Sequence, residues 1–308
     1  MNSTNITTIL ESLNARFGIA GKVNIIAANG GLPAIQIATP AATAEIYLHG
    51  AHVTAFKPST TEELIFVSSK THWEPTKAIR GGIPICFPWF GPKADDPKAP
   101  MHGFARTHEW TIASIEEDDE AVQITLTFDS SEATQPLWPH AFHAEYRVTV
   151  SAFLHLELAV TNTGDAPFQF EEALHTYHHI GDIHQTHLNG LDGISYLDKV
   201  DAYAKKTQSG DITITGQTDR VYLETTAAIT IHDAALSRSI EVEKSSSRNT
   251  VVWNPWAEVA ASMADMGNDE WPHFVCVEAA NCRDNAVTLA AGETHAMGVT
   301  IRVANLSE

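Results

Sequence analysis

The chain has 308 residues and a formal charge of −19, from 19 Lys and Arg against 38 Asp and Glu, and 44% of it is apolar. That apolar content supports a substantial core and excludes a disordered chain, while the negative field excludes nucleic acid and anionic membrane as general partners. An acidic chain that binds a phosphorylated small molecule must do so through a few local arginines, so isolated Arg residues in apolar surroundings are the ones to follow.

From the N-terminus, Ile6, Ile9, Leu10, Leu13 and Phe17 recur at helical spacing, which predicts a short amphipathic helix over Asn5–Phe17 closed by Gly18. The opening MNSTNITTIL lacks the basic and long apolar parts of a signal peptide, and no window has the 18 or more apolar residues of a membrane span. Cys86, Cys276 and Cys282 are odd in number and form no CxxC pair, which reads as buried reduced thiols. A cytoplasmic location is expected.

Beyond Gly18 the helical period gives way to short runs rich in Val, Ile, Thr and aromatics, punctuated by Gly, Pro, Asp and Asn, the pattern of an all-β sandwich. Strands are expected near 34–37, 45–48, 64–67, 122–128, 229–232, 251–253, 274–278 and 299–303. The clearest is Phe142, Ala144, Tyr146, Val148 and Val150 alternating with polar neighbours, followed by Leu156, Leu158 and Val160. Residues 116–120 and 245–248 read as solvated turns. With no low-complexity linker and no fixed repeat, the expected organisation is an N-terminal helical extension over 1–20 and a single domain over 21–308.

Several segments carry chemistry. Residues 80–92, RGGIPICFPWFGP, place a charge before a glycine pair and a stiff aromatic loop, as in a preorganised pocket wall with Arg80 at its lip, or a surface arginine before a packed turn. In HGFAR an extended backbone would set His102, Phe104 and Arg106 on one face, a combination suited to a sugar phosphate. In residues 168–179, FQFEEALHTYHH, period two groups Glu171, His175, Tyr177 and His179, and a nearby carboxylate favours a protonated histidine. His175, His178, His179, His184 and His187 also admit a metal-binding or a purely structural reading, although no HExxH or CxxC companion is present. Residues 274–280, FVCVEAA, read as a central strand apolar on both faces except for Glu278. A buried carboxylate there requires a partner or a task. Asp219 and Arg220 read as part of a turn.

Taken together, RGGIPICFPWFGP, HGFAR, ALHTYHHIGDI around His175, TDRVY around Asp219, VVWNPW at Val251 and FVCVEAA resemble, in the same order, the aldose 1-epimerase superfamily, and within it the hexose-6-phosphate mutarotase (glucose-6-phosphate 1-epimerase) branch. The resemblance covers nearly the whole chain after the helix and implies an all-β, galactose-mutarotase-like β-supersandwich. It implies that His175 is the general acid for the ring oxygen and Glu278 the base for the anomeric hydroxyl. By the same carry-over Arg80 and Arg106 bind substrate, Asp219 holds a sugar hydroxyl, and His102 is a second substrate-contacting histidine. Met101 departs from a glutamine found in some relatives, so that contact is not carried over. With a reference pKa of about 4.3, Glu278 is expected to be ionised at neutral pH, and no metal, nucleotide or other cofactor is required. The partner implied is a small sugar phosphate; an unphosphorylated aldose, or a carbohydrate-binding module without turnover, are the alternatives.

Overall fold

The computed structural model of the chain describes residues 3–118 and 120–305. Asp119, inside the segment read as a turn over 116–120, lies outside them. The N-terminal helix spans Ser3–Phe17, and Leu10, Leu13 and Phe17 pack on the core. It stops where the Gly18 N–H donates to the Asn14 carbonyl at 2.9 Å. The Asn14 side chain in turn donates to the Ile25 carbonyl (2.6 Å) and accepts from the Ile25 N–H (2.8 Å), tying the helix to the first strand.

Among the described residues the strands form four sheets, all antiparallel in their named pairings. Val23–Ala27, Pro33–Ala38, Ala42–Tyr47 and His52–Pro58 make a four-stranded meander. A nine-stranded sheet runs through Arg238–Ser245, Thr294–Asn305, Leu154–Asn162, Phe142–Val150 and Val122–Asp129. An eight-stranded sheet has Phe274–Asn281 near its middle, and a two-stranded ribbon completes the set. Tyr146 pairs with Leu158 and Val148 with Leu156, so the alternation in the sequence becomes one continuous buried face. That face shares a single core with Val275, Val277 and Ala279 of the eight-stranded sheet. Cys276, Glu278 and Ala280 alternate with them and point the other way, where smaller apolar clusters and loops cover them. This double covering makes Phe274–Asn281 apolar on both sides.

Three local expectations change. Residues 64–67 form isolated bridges rather than a strand. The Glu63 carboxylate accepts the N–H groups of Phe56, Leu64 and Ile65 and takes donors that a ladder would use. Thr218–Tyr222 is a strand, not a turn. The HGFAR segment is not extended: His102 and Gly103 have φ of 63° and 75° and lead into a 3-10 turn over Ala105–Thr107, so His102, Phe104 and Arg106 do not share a face. Gly103 lies so close to the 80–92 loop that a Cβ on it would be 1.9 Å from the Phe87 carbonyl oxygen.

Gly91 has a similar φ of +79° but open space where a Cβ would sit, so the two glycines separate backbone conformation from contact. Gly91→Ala is expected to cost about 1 kcal/mol and Gly103→Ala roughly 2–4 kcal/mol. Comparing their thermal melting with wild type checks this; equal losses would show that the approach to Phe87 is not a constraint.

Candidate active site

Two runs of cross-strand neighbours build the site. Glu172, Ala173 and Leu174 pair with Asn281, Ala280 and Ala279, and Tyr177, His178 and His179 pair with Cys276, Val275 and Phe274. The register is the same on both sides of the gap, which sets His175 opposite Glu278. At that point the ladder opens, and the His175 N–H donates instead to the Pro84 carbonyl at 3.1 Å. His175 Nε2 lies 3.3 Å from Glu278 Oε1. Glu278 is paired on its other side with Val251. One step along the sheet, Tyr177, Cys276, Trp253 and Asp219 are consecutive cross-strand partners. Lys199 follows the strand Ser195–Asp198 and, in continued register, meets Asp219 with Nζ 2.8 Å from Oδ2.

These residues line a cleft of about 120 Å³ together with Arg80, Phe90 and His102. Larger hollows, of about 560 Å³ on the first sheet and about 410 Å³ beside Cys282, have no histidine among their lining residues. In the cleft the His175 ring stacks on Tyr177 at 4.9 Å and meets the edges of Trp253 and His102 at 5.9 and 5.7 Å. His102 Nδ1 accepts from the Gly91 N–H at 3.2 Å, which fixes the neutral ring with its hydrogen on Nε2. Arg80 Nη1 donates to the Tyr177 hydroxyl at 3.1 Å, and Nη2 donates to Asp265 Oδ2 at 3.0 Å.

Of the twelve buried side-chain polar atoms without a hydrogen-bond partner among the described residues, four belong to residues lining this cleft: Glu278 Oε2, His175 Nδ1, Asp219 Oδ1 and Arg80 Nε. Unpaired buried polar atoms are rare and costly, and their concentration at one cleft marks capacity left for a ligand. Sugars, with hydroxyls that both donate and accept, match such a mixture.

Burial governs the electrostatics. It raises the Glu278 carboxyl well above its usual range; Asp219 adds to the rise, while Lys199 and Arg106 oppose it. Burial also lowers His175 well below the ordinary histidine value, with Arg106 and Arg80 adding to the drop. The expectation of an ionised Glu278 beside a protonated His175 is therefore corrected, because a reference pKa describes a solvated carboxyl and this one is 1% exposed. Both shifts favour the uncharged pair, with one proton on Glu278. His102 is lowered by burial, then by Arg106 and His175, and stays neutral. Asp219 is raised by burial, partly offset by Lys199.

The structure thus brings His175, Glu278, Asp219, Arg80 and His102 to one cleft. Arg106 is not among the lining residues; its Nη2 donates to the Met101 carbonyl at 2.7 Å. Of the expected companions of His175, Tyr177 stays beside it in the cleft and the others disperse. The Glu171 carboxylate accepts from the Phe90 and Arg283 N–H groups, and His179 Nδ1 contacts the Glu63 carbonyl. His178 is fully buried, His184 packs against Trp256 and Trp271, and His187 stacks on His232. Among the described residues no three His, Cys, Asp or Glu converge on a metal position. Sequence reasoning missed Lys199, Trp253 and Asp265. Lys199 and Asp265 stand in polar turns without a local signal, while Trp253 lay in an expected strand whose facing was set only by pairing.

Comparison with known proteins adds an independent line. The family model described as aldose 1-epimerase matches residues 33–302. A Salmonella typhimurium protein provisionally named glucose-6-phosphate 1-epimerase is 40% identical over 248 residues, 80% of this chain and 82% of that one. An Escherichia coli protein of the same provisional name is 38% identical over 276 residues, 89% and 91% of the two chains. The crystal structure of a provisionally assigned mutarotase from Salmonella typhimurium superposes with a TM-score of 0.88 at 34% identity, covering 96% of this chain and 99% of that one. Galactose 1-epimerase from Lactobacillus acidophilus shares the fold, with a TM-score of 0.70 at 15% identity over 92% and 99%. Sequence and fold agree over most of the length: the chain belongs to the aldose 1-epimerase family of isomerases and has the fold of the galactose mutarotases.

Proposed function

We propose that the protein interconverts the α and β anomers of a hexose 6-phosphate, with glucose 6-phosphate as the first substrate to test. The observation that carries this reading is the 3.3 Å contact between His175 Nε2 and Glu278 Oε1 in a cleft that Arg80 also lines. The names of the relatives support the phosphorylated substrate. The three free, buried cysteines suit a reducing, cytoplasmic setting.

Anomer exchange requires a base for the C1 hydroxyl, an acid for the ring oxygen, and exchange of those roles for closure. A pair that holds one proton meets both requirements. Moving that proton from Glu278 to His175 creates the carboxylate and imidazolium that act on the closed ring. Glu278 then takes the hydroxyl proton as His175 protonates O5 and the C1–O5 bond breaks. The result is an open-chain aldehyde facing a neutral histidine and a protonated glutamate, the charge state that burial favours. Rotation about C1–C2 presents the other face of the aldehyde; His175 then takes the C5 hydroxyl proton as that oxygen attacks C1, and Glu278 returns its proton to the former carbonyl oxygen. Trp253 and Tyr177 offer apolar surface for the pyranose, Asp219 and Lys199 partners for its hydroxyls, and Arg80 and Arg106 positive charge for phosphate.

Exchange NMR on glucose 6-phosphate tests the pair. Glu278→Gln and His175→Gln are each expected to slow catalysed exchange by about 100-fold or more; wild-type rates in either variant would sink the mechanism. In wild type, activity ends on the acid side when the pair gains a second proton and on the alkaline side when it loses its only one. Because His175 is lowered and Glu278 raised, the acid limb is expected below the ordinary histidine value of about 6.5.

The phosphate is tested separately. Arg80→Ala is expected to raise KM for glucose 6-phosphate by about 10-fold or more while changing exchange of glucose little, and Arg106→Ala to act in the same direction. Equal effects on both sugars would favour an unphosphorylated aldose.

Stability follows from the same burial. A folded-state pKa raised above the unfolded one stabilises the fold fully at pH below the unfolded value, and that stability is lost as pH rises through the folded value. For Glu278 this means that Glu278→Gln melts above wild type, by a margin that widens between about pH 5 and about pH 8. A margin that narrows over that range would contradict a buried, proton-retaining carboxyl.

A further inference from the structure

Asp265 has no place in the acid–base chemistry, yet it occupies the guanidinium on which phosphate recognition depends. Its Oδ2 accepts from Arg80 Nη2 at 3.0 Å, and that is the hydrogen bond its carboxylate makes among the described residues. It stands in the turn that follows the helix Trp256–Ser262. The turn's backbone is pinned on both sides of it: on the near side Met263 packs on the same apolar cluster, its N–H donates to the Ala260 carbonyl at 3.1 Å, and its carbonyl accepts from the Met266 N–H at 3.2 Å. Met266 is buried against Phe66, Tyr177 and Phe274, and the Gly267 N–H donates to Ser68 Oγ (3.2 Å) and Glu270 Oε2 (2.9 Å). Any movement of the carboxylate is therefore a side-chain rotation, and at 21% exposure the side chain already borders water.

The rest of the cationic side is short of counter-charge. Arg106 has no carboxylate within ion-pair distance among the described residues, and Nε of both Arg80 and Arg106 is buried without a partner. A phosphate dianion arriving in the cleft that Arg80 lines meets the Asp265 charge beside that guanidinium. At 25% and 21% side-chain exposure the pair is mostly buried, so Arg80 can give up the carboxylate cheaply only to another anion that leaves the guanidinium paired. A neutral sugar brings no charge to do so.

Building on the hexose 6-phosphate reading, we propose that Asp265 is a displaceable internal counter-ion, which neutralises Arg80 in the empty cleft and yields it to the substrate phosphate. Asp265 then acts as a specificity residue: it holds the arginine folded and neutralised when no phosphate is present and keeps neutral hexoses from engaging it.

The sign of one substitution decides this. Removing an internal competitor tightens the external ligand, whereas removing a support that orients Arg80 loosens it. Asp265→Asn is expected to lower KM for glucose 6-phosphate, and the Kd of inorganic phosphate by calorimetry at fixed ionic strength, each by roughly 3- to 10-fold. Asp265→Ser, which also removes the carboxylate, is expected to do the same and serves if the first variant fails to fold, as judged by its melting curve. Unchanged or weaker phosphate binding in the folded variants overturns the proposal. Wild type that exchanges glucose 6-phosphate anomers while these variants bind no tighter leaves the substrate reading standing and removes only the role of Asp265. Wild type with neither activity nor phosphate binding removes both.

Discussion

The site depends on one constraint, the antiparallel register between residues 172–179 and the strand Phe274–Asn281. The fixed pairing on both sides of the gap leaves His175 opposite Glu278, and the same register carries Tyr177 across Cys276 and Trp253 to Asp219. Because side chains alternate with period two, a slip of one residue would turn Glu278 into the main core and Val277 or Ala279 into the cleft. The large apolar face formed by Val275, Val277 and Ala279 guards against that slip. The energy of core packing thereby specifies the position of the acid and the base.

The same packing produces the chemistry. Water is excluded from both sides of the central strand, so neither Glu278 nor His175 is favoured in its charged form. In water the pair would rest as carboxylate and imidazolium; in the cleft burial shifts the balance toward the uncharged pair, with its one proton on Glu278. The surrounding charges set that balance. Asp219 raises Glu278, Arg106 and Lys199 lower it, and Arg80 and Arg106 lower His175. The cations are themselves held, Lys199 by Asp219 and Arg80 by Asp265, so a ligand that rearranges either pair also alters the field at the acid and base.

Much of this was legible in the sequence wherever the signal is local. Alternation located the strands from Phe142 to Val160, and an isolated carboxylate in an apolar run singled out Glu278. A strand-like run rich in titratable residues pointed to His175, a charge before a glycine pair and a stiff aromatic loop to Arg80, and the HGFAR segment to His102. What escaped is non-local. Asp265 meets Arg80 across 185 positions of chain, and Lys199 meets Asp219 only because a turn continues a strand register. The Glu63 side chain took the backbone donors of Leu64 and Ile65, which propensity cannot foresee, and the approach of Gly103 to Phe87 bent a segment whose residues suit a strand. The ionisation of Glu278 was misjudged for the same reason, since burial belongs to the fold rather than to the residue.

The division of labour between strands and turns has a consequence for descent with modification. The groups that would move protons are fixed by sheet pairing and share their strand with the main core, so substitution there endangers folding. Lys199, Asp265 and the rim around His102 are supplied by turns, where a change of length or charge leaves the register intact. Sugar preference can therefore change at the rim while the proton-transfer pair stays unaltered.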